Sequence, residues 1–152
     1  MEERKQPGYR FSGAPTFDAA ALPGALAGAT AVQLSRGGFL IYAVDPEADV
    51  LADDTEKYVD VRREEDGPRI TDPAAIAELV EALTVSEVTD FVCMCTGDLA
   101  AEFFDEEQHL VGVVRMDLPH RIEWPHWPGL ATLREPRRLE RWLAAHGASL
   151  TP

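Results

Sequence analysis

Residues 91–124 read FVCMCTGDLAAEFFDEEQHLVGVVRMDLPHRIEW, and this stretch decides the fold. Phe91 to Cys95, Leu99 to Phe104 and Leu110 to Met116 are short runs rich in β-forming residues. The first two are separated by Thr96-Gly97-Asp98 and the last two by Asp105-Glu106-Glu107-Gln108. A fourth short run, Arg121 to Trp124, completes the pattern, which is that of a four-strand meander. Downstream, Glu135-Pro136 starts a helix with the stripe Leu139, Trp142, Leu143 and His146, and Gly147 is placed to take the left-handed position that ends it.

The segment before residue 91 repeats the arrangement. Thr30 to Leu34 and Phe39 to Val44 flank Arg36-Gly37-Gly38, and a glycine pair between two β-forming runs reads as a hairpin. A third strand over Tyr58 to Arg62 follows an acidic loop. Asp72-Pro73 then supplies an N-cap and a proline at the first helical position, with Ile76, Leu79, Val80 and Leu83 spaced at i, i+3, i+4 and i+7. The fold class is therefore α+β, an antiparallel sheet built from two meanders, each followed by one amphipathic helix. Aligning Pro73 with Pro136 sets Ile76 on Leu139, Leu79 on Trp142 and Val80 on Leu143, as a degenerate repeat would, although any two helices with proline starts align in this way. Residues 1–28, with Pro7, Pro15, Pro23, Gly8, Gly13, Gly24 and Gly28, read as an irregular N-terminal arm, and residues 29–152 as a single domain.

At 152 residues the chain has enough core to fold without disulfides or metal. Its 45% hydrophobic and 27% charged residues separate it from disordered chains. The balance of 27 acids against 14 bases, −13 in formal charge, repels phosphate backbones and anionic headgroups. Neither nucleic acid nor a membrane surface is expected as a partner, whereas a basic protein surface would be steered toward this one. The most apolar stretch, Ala19 to Val32, is broken by Pro23, Gly24 and Gly28 and falls short of the roughly 20 residues of a membrane span. It also lies too far from Met1 to read as a secretory leader. A cytoplasmic location with reduced thiols is the expectation.

Cys93 and Cys95 are the only thiols. On a strand they share one face with Cα atoms about 6.6 Å apart, so both could reach one ion. His120 and His126, flanking Arg121 to Trp124, would complete a four-ligand sulfur and nitrogen set suited to zinc. Structural zinc sites more often use Cys-x2-Cys spacing, and buried cysteine commonly just fills a core, so zinc is the one possible cofactor and none is required. A thiol nucleophile oriented through Asp98 or Glu123 is a further use of the same residues, but no spacing fixes such a triad.

Asp45, Glu47, Asp49, Asp53, Asp54 and Glu56 open an acidic tract that continues through Asp60, Glu64, Glu65 and Asp66, against Lys57, Arg62 and Arg63. Several of these acids match calcium-loop spacing, but the sixth position is Val50 where a glycine is needed, and a strand precedes the loop. Trp124 and Trp127, on the proline-braced Trp124-Pro125-His126-Trp127-Pro128-Gly129 loop, are candidate partner anchors, though such rings equally seal a sheet against a helix. No phosphate loop, His-Glu-x-x-His helix or Gly-x-Ser-x-Gly elbow occurs.

Cys93-x-Cys95-x-Gly97-Asp98, the hairpin through Glu102 and Asp105, the Glu123-Trp124 strand end and Leu139 to Gly147 together resemble a small uncharacterised family of bacterial α+β proteins. The resemblance covers about the last 60 residues. It implies the fold and implies no chemistry. By elimination, the expected function is a non-enzymatic acidic protein-binding module, immunity-like or a regulatory inhibitor, that presents Asp45, Glu47, Asp49, Asp53, Asp54 and Glu56 to a basic partner. The alternative is a zinc protein, structural or hydrolytic, using Cys93, Cys95, His120 and His126.

Overall fold

The structure is a computed structural model describing residues 9–12, 15–50, 52, 54–91, 99–117 and 120–148. Its strands are β1 (Tyr9–Phe11), β2 (Ala31–Ala43), β3 (Lys57–Ile70), β4 (Val85–Val88), β5 (Leu99–Phe104), β6 (Leu110–Asp117), β7 (Arg121–Glu123) and β8 (Ala131–Leu133). The helices are α1 (Ala21–Ala25), α2 (Pro73–Ala82) and α3 (Pro136–Ala145). All strands join one antiparallel sheet in the order β1-β3-β2-β5-β6-β7-β8-β4. The second half runs as consecutive neighbours from β5 to β8. The first half is not a meander, because β3 lies between β1 and β2 and β4 crosses to the far edge.

Each helix forms where the sequence supplies its start. Asp72 is extended, its carboxylate accepts the Ala75 N–H at 3.3 Å, and Pro73 opens α2. Pro136 opens α3 with no side-chain cap, and Gly147, at φ +81, ends it. The apolar stripes of both helices pack on the sheet face formed by Val32, Leu34, Leu99, Ala101, Phe103, Val114 and Met116. Trp142 Nε1 donates to the Ala75 carbonyl at 2.8 Å and ties α3 to α2. His146 stacks on Trp142 and bonds its carbonyl through Nδ1 at 2.8 Å, a helix C-terminal role.

Two expectations give way here. Gly37 and Gly38 make no turn, since β2 runs straight through them. Their positive φ values of 125° and 151° mark a bulge, with the register against β3 shifting between Arg36 and Gly37. The second correction concerns the N-terminal arm, which supplies β1 and the one-turn helix α1. Leu22 and Leu26, on and just after that turn, are buried in the main core.

The sheet is rolled. Between β1 and β7 lie five strand spacings, about 24 Å if the sheet were flat. Yet the Tyr9 hydroxyl on β1 lies 2.6 Å from His126 Nε2, just past β7, and the Phe11 and His126 rings are 4.8 Å apart. The roll encloses a second, smaller apolar cluster of Phe39, Val59 and Val113, flanked by Tyr9, Phe11 and Ile41, on the face opposite the helices. Among the described residues no helix is long and apolar enough to cross a membrane.

Candidate functional site

The acidic tract sits at the tip and along the outer strand of the β2–β3 hairpin. Asp45, Glu47, Asp49, Asp54 and Glu56 are all exposed, and Asp53 lies outside the described residues. Local turns shape the tip: Asp45 Oδ1 accepts the Glu47 N–H at 3.0 Å, and the Asp49 carbonyl accepts from Ala52 N and the Thr55 hydroxyl. Exposed Glu64, Glu65 and Asp66 extend the negative surface along β3. Two salt bridges among the described residues of this region are loose, Arg10 to Glu56 at 3.9 Å and Arg36 to Glu65 at 3.4 Å. Surface pairs of this kind leave most of the field intact.

The tryptophans are placed differently from the anchors expected of them. Trp124 and Trp127 are 4% and 3% exposed and pack edge to face within the main core. Trp127 Nε1 donates to the Asp18 carbonyl at 3.0 Å. In this fold their rings seal the sheet end and offer no surface to a partner.

Cys93 and Cys95 lie outside the described residues. Of the two histidines grouped with them, His120 is exposed ahead of β7, and His126 is half-buried beyond its other end. His126 sits among the rings of Tyr9, Phe11 and Trp124, and burial lowers its pKa. Among the described residues, three ligand-type atoms approach one another only at Asp105, Glu107 and His109, on the exposed β5–β6 turn. Hydrogen bonding within the turn accounts for that grouping, because Asp105 Oδ1 accepts the Glu107 and His109 N–H groups.

The concave face carries ion pairs that the sequence reading did not assemble. Glu102, 3% exposed, receives Arg63 Nη2 on both carboxylate oxygens, at 2.8 and 2.6 Å. Arg115, 2% exposed, pairs with Glu123 on the adjacent strand and lies over the Phe39 ring. Burial raises the pKa of both carboxyls against the downward pull of their arginines. Ser35 is fully buried, and its hydroxyl has no hydrogen-bond partner among the described residues. The register sets Arg69 opposite Gln33 and Gln33 opposite Glu102, a polar row across β3, β2 and β5. That row floors a cleft of about 640 Å3 at the mouth of the roll. The sequence holds charges of alternating sign on these strands, Arg63 on β3, Glu102 on β5, Arg115 on β6 and Glu123 on β7. No spacing along the chain joins them, and the rolling of the sheet buries Glu102 and Arg115.

Comparison with family models, with curated proteins and with solved structures finds no match for this chain.

Proposed function

We propose that this protein is a non-enzymatic binding module, immunity-like or a regulatory inhibitor, whose acidic β2–β3 hairpin engages a basic protein partner. The observation that carries the reading is the concentration of exposed acids on one hairpin, with Asp45, Glu47, Asp49, Asp54 and Glu56 at the tip and Glu64, Glu65 and Asp66 behind them. A field of this kind steers encounter with a cationic surface and rejects anionic ones. With Trp124 and Trp127 committed to the core, recognition falls to the acids and to the backbone shape of the hairpin.

The test uses two baits, the parent chain and a variant carrying Asp45→Asn, Glu47→Gln, Asp49→Asn and Asp54→Asn. The expected result is a basic protein held by the parent and lost by the variant. A partner that is acidic, or that both baits hold equally, would sink the proposal.

A further inference from the structure

The cleft at the mouth of the roll has a charge balance opposite to that of the whole chain. Arg10, Arg63 and Arg69 line it against Asp66 and Glu102, whereas the sequence as a whole has 27 acids to 14 bases. Arg69 is also held in place. Arg69 lies over the Phe104 ring, 5.1 Å from its centroid, and donates through Nη2 to Gln108 Oε1 at 2.7 Å. A guanidinium fixed by stacking and one hydrogen bond keeps its remaining N–H groups aimed, which is how bidentate oxyanion sites are prepared.

Gln108 adds an independent observation. At φ 67° it is the one non-glycine with positive φ among the described residues, in a turn position where glycine or asparagine would rest without strain. The turn is closed by the Gln108 N–H to the Asp105 carbonyl at 2.9 Å. Strained backbone held by its surroundings clusters at binding sites, and here the strain places the side chain that orients Arg69. Glu102 at the floor points the same way, because a carboxylate buried to 3% exposure and held by Arg63 is costly to desolvate where an apolar residue of like volume would serve stability as well.

We propose that this cleft binds a small organic oxyanion, a carboxylate or phosphate monoester on an apolar body, with Arg69 receiving the anion and Phe104, Tyr9 and Leu110 facing the body. Pockets of this volume, part apolar with a few convergent polar groups, suit ligands of that size, and barrel mouths are a common place for them. Arg69, the anion-binding group, pairs with Gln33 at the end of the β2–β3 hairpin away from the acidic tip, and Arg10 of the lining also reaches Glu56 at 3.9 Å.

Titration calorimetry with phenyl phosphate, benzoate and the neutral benzamide tests it on the full chain. One or both oxyanions are expected to bind and benzamide is not, and the preferred oxyanion separates phosphate from carboxylate recognition. Arg69 is exposed, so Arg69→Ala should fold and bind at least about tenfold more weakly. Gln108→Gly removes the strain with the side chain, so it should melt no lower than the parent while binding more weakly, a split that a purely structural role would not give. Absence of binding by both oxyanions at millimolar concentration, equal binding of benzamide, or unchanged affinity in both variants would overturn the assignment.

Discussion

His126 does at the residue scale what the roll requires of the whole sheet. Its ring is the point where β1 meets the loop after β7, in contact with Tyr9, Phe11 and Trp124, and its carbonyl accepts the Thr16 N–H at 2.9 Å. Burial lowers the imidazole pKa from its ordinary 6.5, so the fold favours the neutral ring. As pH falls, the unfolded chain takes up this proton first. The stability from His126 is therefore complete above about pH 6.5 and is lost as pH drops from there through the lower folded pKa. Urea midpoints measured between about pH 7.5 and 5.5 should fall more steeply for the parent than for His126→Asn. Parallel slopes would show that this ring does not titrate with folding. Gly129 is a second residue-scale constraint. A Cβ there would meet the Phe91 carbonyl oxygen at 2.5 Å and the Asp90 carbonyl carbon at 2.8 Å, both backbone atoms. Gly129→Ala is expected to cost about 1–3 kcal/mol by overpacking. At Gly112 the only close atom is the mobile end of Leu26, at 2.8 Å, so Gly112→Ala should cost less than about 1 kcal/mol. Thermal melts of the two variants distinguish rigid from yielding neighbours.

At the scale of elements, the two long helices differ in how they begin. α2 has an Asp72 cap, whereas Glu135 before α3 makes no capping bond. Asp72→Ala should therefore lower stability by about 1 kcal/mol. Glu135→Ala should cost less than half of that, since it loses only an exposed 3.4 Å pair with Arg138. Equal losses would mean that the α2 cap contributes nothing beyond surface charge. The same local chemistry made these helices legible: proline at N1, a stripe at helical spacing and a glycine stop are all short-range signals. β5 and β6 were legible for a similar reason, because the turn between them is written in Asp105, Glu106, Glu107 and Gln108. β1, β4 and β8 were not, since β1 pairs with β3 and β4 with β8, partners far along the chain. Gly37-Gly38 misled because a bulge and a turn ask for the same residue, and only the register of β3 decides between them.

At the scale of the whole molecule, the β2–β3 hairpin carries exposed acids at its tip and along β3, and the arginine-lined mouth of the roll opens beside the same strand. Composition announced the first, because net charge sums over the chain regardless of fold. It concealed the second, because three arginines converge there only when β1 swings over and β3 lies against β2. The acidic end is the centre of the functional account, and its distinguishing property is long-range attraction, screened over about 8 Å at physiological ionic strength. The most direct measurement is the association rate with the captured basic partner, by stopped flow at low and high salt, for the parent and for the variant neutralised at Asp45, Glu47, Asp49 and Asp54. The parent rate is expected to fall at least about tenfold with salt, and the variant should be slow at both, with dissociation changed far less. Association that is equally fast for both chains and indifferent to salt would contradict the acidic hairpin as the binding surface.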